Sequence, residues 1–121
     1  MLVVVVDDDE GFRHGLAEHL RDDGHEVLEY GAPDQLPAFE TLSRTKLLIS
    51  DYQMPGEDGL RLAQRFHQTH PQVPVIIVTA YWGEHLNAAA NNSGYLNLCR
   101  KPLDYFGFHA LIHKLTAAPK S

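Results

Sequence analysis

Apolar residues along this chain follow two alternating rhythms. Short solid runs such as Leu2-Val3-Val4-Val5-Val6, Leu47-Leu48-Ile49 and Val75-Ile76-Ile77-Val78 are separated by stretches in which apolar residues recur every three or four positions. A solid run has no polar face, so as a strand it must be covered on both sides, as in a parallel sheet. The three-to-four spacing is the stripe of an amphipathic helix. The pattern predicts a strand over 2–6, a helix over 11–22 with Phe12, Leu16 and Leu20 on one face, and a strand over 26–30 nearer a sheet edge. Gly24 is placed to end that first helix. A weaker helix is predicted over 33–43, with Pro33 near its start and Leu36, Phe39 and Leu42 facing inward. There follow a strand over 46–50, a helix over 59–69 with Leu60, Ala63 and Phe66, a strand over 75–79, an Ala-rich helix over 84–93 and a strand over 95–100. Asp104 caps a last helix bearing Phe108, Leu111, Ile112 and Leu115. Five strand–helix units predict a parallel sheet with helices on both faces.

The strands end in residues with chemical use. The first runs into Asp7-Asp8-Asp9, the third into Asp51, the fourth into Thr79 and the fifth into Lys101. Parallel strands align their carboxyl ends, and open α/β sheets bind ligands at that edge. Carboxylates gathered there repel one another and raise each other's pKa. A hard divalent cation such as Mg²⁺ or Mn²⁺, bound through oxygen, relieves the repulsion. A carboxylate nucleophile with an acidic metal pocket, a hydroxyl donor and a cation suits phosphoryl transfer to an aspartate.

Composition narrows the setting. The 121 residues are enough for one domain with a sizeable core, predicted over 1–117, with 118–121 as a tail or the start of a linker. A formal net charge of −6 argues against direct nucleic-acid contact by this domain. The single cysteine, Cys99, excludes an internal disulfide, fits a reducing cytoplasm and reads as a small core residue. The longest apolar run, Val73 to Val78, is interrupted by Pro74 and too short to cross a bilayer, and Met1 running straight into the first strand leaves no room for a signal peptide. A cytoplasmic protein with no membrane contact is expected.

The stretch Asp51-Tyr52-Gln53-Met54-Pro55-Gly56-Glu57-Asp58-Gly59, the pair Asp7-Asp8, Thr79-Ala80 and Lys101-Pro102 occur in the order and spacing of one family. Over residues 1–117 the chain resembles a response-regulator receiver domain of two-component systems, of the chemotaxis type. The resemblance implies a flavodoxin-like (βα)5 fold of class α/β, with a five-stranded parallel sheet in the order 2-1-3-4-5. It implies that Asp51 is the phosphoacceptor. It implies that Asp8, Asp51 and the backbone carbonyl of Gln53 hold the metal, with Asp7 acting through water. Thr79, Ala80 and Lys101 would contact the phosphoryl group, and the Lys101–Pro102 bond would be cis. The phosphoryl donor would be a sensor histidine kinase or phosphotransfer protein. The domain would be a regulatory switch that catalyses its own phosphorylation and dephosphorylation. Its output would be a change in the helix 4–strand 5–helix 5 face, which is also a possible homodimer surface.

The chain departs from the family pattern at Leu98, where an aromatic switch residue often stands, and at Leu103 after Lys-Pro. Tyr95 is not assumed to substitute for that aromatic. Gln53 and Tyr81, each two residues past a strand end, are placed to tune the lifetime of the phosphorylated state. Asp9 reads as a turn or helix-start residue rather than a ligand. The eight histidines, at 14, 19, 25, 67, 70, 85, 109 and 113, are scattered. His109 and His113 at i, i+4 could chelate an ion, but a solvated helix face is the expectation. Two other classes share parts of this pattern. A haloacid-dehalogenase-like Mg-dependent phosphatase shares a strand-end Asp-x-Asp, a Thr and a Lys, but its last acidic motif should follow the lysine, whereas Asp51 precedes Thr79. A flavodoxin-like electron carrier needs a Ser/Thr/Gly-rich phosphate loop after the first strand, where this chain carries carboxylates.

Overall fold

The computed structural model describes residues 1–117; the expected tail over 118–121 lies outside the described residues. Five strands, β1 (Leu2–Val6), β2 (Glu26–Tyr30), β3 (Thr45–Asp51), β4 (Val75–Thr79) and β5 (Leu96–Arg100), form one parallel sheet in the order β2-β1-β3-β4-β5. Four α-helices are described: α1 (Glu10–Asp22), α2 (Gly59–Thr69), α3 (Glu84–Asn91) and α4 (Tyr105–Thr116). The class is α/β and the topology flavodoxin-like, with β1 at the point where the winding reverses.

The solid apolar runs are explained by alternation. In β1, Val3 and Val5 point into a core shared with Leu16, Leu20, Phe108 and Ile112 of α1 and α4. Val4 and Val6 point into a second core with Leu62, Phe66 and Leu86 of α2 and α3. Both faces of the strand are therefore dry, and a polar residue at either parity would lose its water without a partner.

One element differs from expectation. The predicted helix over 33–43 is instead two short 3₁₀ turns, Pro33–Gln35 and Phe39–Leu42, so the β2–β3 crossover carries no α-helix. Pro37 is the physical reason. Its ring disfavours the helical region for the preceding residue, and Leu36 is extended at ψ 137°. The apolar spacing still serves packing: Leu42 is buried, and Leu36 and Phe39 lie against the α2-side core. Other boundaries move by a residue or two. The capping residues behave as expected, Asp9 accepting the backbone N–H of Phe12 and Asp104 that of Phe106. The Lys101–Pro102 peptide bond is cis.

Candidate functional site

The parallel register brings the strand ends to one edge. Val6 lies beside Ser50, Asp51 beside Val78 and Thr79 beside Arg100. Asp7, Asp8, Asp51, Thr79 and Lys101 all leave the sheet there.

Asp7 is buried and fully engaged. One carboxylate oxygen accepts the backbone N–H of Asp9 at 2.9 Å, and the other accepts the Lys101 ammonium at 3.0 Å. The Asp7 carbonyl accepts from Arg13 Nη1 at 2.8 Å, and its N–H donates to the Tyr30 carbonyl at 3.1 Å. The loop after β1 is thus pinned by α1 and β2, leaving Asp8 exposed at the rim.

Asp51 is half-buried at the end of β3. One oxygen accepts the Tyr52 N–H at 2.8 Å, and the other lies 3.7 Å from Lys101 Nζ. Burial pushes the Asp51 carboxyl above the ordinary carboxylate range, and the charge of Asp7 adds to the effect, against the pull of Lys101 and the Tyr52 N–H. Lys101 sits nearer Asp7 than Asp51 and 4.2 Å above the ring of Phe12. That ring gives the ammonium an apolar wall and a favourable π-face.

The turn after β3 is held by close packing. Gly59 N–H donates to the Tyr52 carbonyl at 2.7 Å, and Ser50 Oγ donates to the Asp51 carbonyl at 2.8 Å. A Cβ at position 59 would collide with that same carbonyl, so only glycine lets the start of α2 approach the strand this closely. Asp58 caps α2 by accepting the Arg61 N–H at 2.8 Å.

On the other side, Thr79 is buried and its Oγ1 accepts the Tyr81 N–H at 2.9 Å. Ala80 and Gln53 are exposed. The Tyr81 ring stacks on that of Tyr52, 5.3 Å between centroids, joining the two loops that flank Asp51. Leu98 is half-buried in the α2-side core. Tyr95 stacks on His67 of α2 at 3.7 Å and is committed there. Sequence reasoning missed the contributions of Phe12, Arg13 and Tyr52. Phe12 was legible as an apolar helix position, but nothing in its spacing signalled a lysine 89 residues downstream, just past the end of β5.

Carboxylate oxygens of Asp7, Asp8 and Asp51 lie within 4.8 Å of one another. Three hard anionic donors faced by a single ammonium leave excess negative charge. This donor set fits a small divalent cation that keeps several waters.

The chain belongs to the response regulator receiver domain family, whose model matches residues 3–113. It is 33% identical over 105 residues to the cyclic di-GMP phosphodiesterase response regulator RpfG of Xanthomonas campestris, covering 84% of this chain and 28% of that protein. It is 35% identical over 123 residues to the DNA-binding transcriptional regulator NtrC of Escherichia coli K12, covering 93% of this chain and 24% of that protein. The chain thus spans about a quarter of the length of these curated relatives. Among solved structures, the non-phosphorylated HemR receiver domain of Leptospira biflexa superimposes with a TM-score of 0.84 at 21% identity, over 99% of this chain and 97% of that one. The signal receiver domain of an HD domain-containing protein of Pseudomonas fluorescens reaches 0.82 at 25% identity, over 94% and 92%. Receiver domains are regulatory modules of two-component response regulators that take phosphoryl groups from histidine kinases, and they generally bind Mg²⁺ in an acidic pocket. Among the described residues no helix is long and apolar enough to cross a membrane.

Proposed function

We propose that residues 1–117 act as a phosphorylation switch in which Asp51 is the phosphoacceptor. The observation that carries this reading is the placement of Asp51 at the end of the central strand, its carboxylate 3.7 Å from Lys101 and within reach of Asp7 and Asp8. An Asp51 oxygen attacks phosphorus and forms the new P–O bond. The P–N bond of a phosphohistidine donor breaks, and the imidazole leaves with the bonding pair. Lys101 shifts from Asp7 to a phosphoryl oxygen, and Thr79 donates its hydroxyl hydrogen to another. Asp8, Asp51 and the Gln53 carbonyl would hold Mg²⁺ or Mn²⁺, with Asp7 acting through water. The bound ion supplies charge neutralisation at the phosphoryl oxygens. Hydrolysis of the acyl phosphate follows when water enters past Gln53 and Tyr81.

The donor is a sensor histidine kinase or phosphotransfer protein. The output is a change of the surface made by α3, β5 and α4, the counterpart of the helix 4–strand 5–helix 5 face, through which the domain also pairs with a second copy. The domain works in the cytoplasm without touching nucleic acid itself.

Incubation with acetyl phosphate and Mg²⁺ tests the assignment. An acid-stable, base-labile adduct should form on Asp51. Asp51→Asn should abolish it, whereas Asp58→Asn, which preserves a good N-cap, should not. Labelling of Asp51→Asn at the parental level would overturn the assignment.

A further inference from the structure

The fold brings together two of the scattered histidines in a way their spacing does not show. His19 on α1 and His109 on α4 are 90 residues apart, yet their Nε2 atoms face each other at 2.6 Å. The expected solvated face holds for His113, which is exposed, but His109 is largely covered. The other nitrogen of His109, Nδ1, lies 2.7 Å from the Asp23 carboxylate. An imidazole that donates Nδ1–H to a carboxylate is fixed in the tautomer whose Nε2 carries a free lone pair. A carboxylate behind a histidine is also the arrangement that orients and strengthens metal-ligating imidazoles. The His19 ring is held in turn against Tyr105, 4.1 Å between centroids. His113 follows His109 by one turn on the same helix side.

We propose that His19 and His109 form a second metal site, distinct from the acidic pocket, for a divalent ion that favours imidazole nitrogen, with Zn²⁺ as the representative. Asp23 orients His109, and water completes the coordination. Imidazole suits Zn²⁺ and its transition-metal neighbours, whereas Mg²⁺ prefers oxygen. At Zn–N distances of 2.0–2.1 Å, two ligands of a tetrahedral ion stand roughly 3.3 Å apart. The rings must therefore part by roughly 0.7 Å, a small torsion for partly exposed side chains. Without the ion, the two Nε2 atoms hydrogen-bond to each other. With it, α1 is tied to α4.

The test uses untagged protein with Mg²⁺ in excess to occupy the acidic pocket, titrated with Zn²⁺ by calorimetry. One ion should bind per chain. His19→Gln and His109→Gln should each lower the affinity at least tenfold. Asp23→Asn should lower it by about tenfold, the usual effect of losing an orienting carboxylate. The melting temperature should rise with Zn²⁺ in the parent and not in His19→Gln. ¹⁵N spectra of the histidine rings should show the Nε2 resonances of residues 19 and 109 moving together, with the protein folded throughout. Parental affinity in both glutamine variants, loss of binding in His113→Gln alone, or no Zn²⁺ binding by the parent would each overturn the proposal.

Discussion

At the scale of single residues, the charge of Asp51 works against the fold. Burial first, then Asp7, raise its affinity for a proton. An unfolded aspartate titrates near 3.9. Between that value and the higher folded one, the native chain binds more protons than the unfolded chain, so stability falls as pH rises through that window. Asp51→Asn should therefore raise the metal-free melting temperature at neutral pH. The gain should vanish as the pH is lowered toward 4 and should shrink with Mg²⁺, which stabilises only the parent. Thermal melts at the two pH values check this, and a lower melting temperature for the metal-free variant at pH 7 would contradict it. Tyr81 offers a second prediction. Its ring is stacked on Tyr52, which follows Asp51, and under the proposed function it would narrow the approach of water to the acyl phosphate. Tyr81→Ala should speed loss of the phosphoryl group several-fold, measured as decay of the labelled protein. An unchanged or slower decay would show that the ring does not screen the acyl phosphate.

At the scale of elements, the decisive contact is between α2 and the end of β3. Alanine is the better helix former by about 1 kcal/mol, so propensity alone predicts that Gly59→Ala stabilises. The Asp51 carbonyl occupies the space a Cβ needs. The net result should be destabilisation of about 1–3 kcal/mol, as for other overpacked sites, together with slower phosphorylation because Asp51 must shift. Urea unfolding and labelling rates measure both, and an equal or higher stability would refute the close approach. The same comparison of local and tertiary forces explains what was legible in the sequence. The solid runs of β1, β3 and β4 could only be doubly covered strands, and the carboxylates and threonine at their ends, with the lysine after β5, could only converge. The crossover after β2 was misread because Leu36, Phe39 and Leu42 repeat every three residues, a spacing shared by helices and by packed 3₁₀ turns. Pro37 was the signal that separated them. The pairs Phe12–Lys101 and His19–His109 were invisible because each joins residues whose proximity is set by the order of strands and by the faces on which helices land.

At the scale of the whole molecule, the proposed phosphoryl group on Asp51 would have to act on the surface without the usual aromatic, since Leu98 lies against the α2-side core. Thr79 supplies another path. Its hydroxyl accepts the Tyr81 N–H and keeps its own hydrogen free to donate. Drawn toward a phosphoryl oxygen, it would carry the Tyr81 backbone with it and hence the segment that leads into α3. Trp82, the only tryptophan, lies on that segment, half-exposed, with the Arg100 guanidinium 4.6 Å over its ring. Arg100 belongs to β5, which is anchored to the sheet, so movement of the segment should separate the ring from the cation. Binding of beryllofluoride with Mg²⁺ should therefore change the Trp82 fluorescence. In Thr79→Ala the mimic should still bind through Asp51 and Lys101, but the signal should fall to less than half. Arg100→Ala should alter the starting fluorescence and reduce the change, because the cation is then absent from both states. A full-sized change in Thr79→Ala would show that the motion bypasses the hydroxyl. A silent parent with bound mimic would show that the loop between β4 and α3 stays in place while the signal leaves by another face.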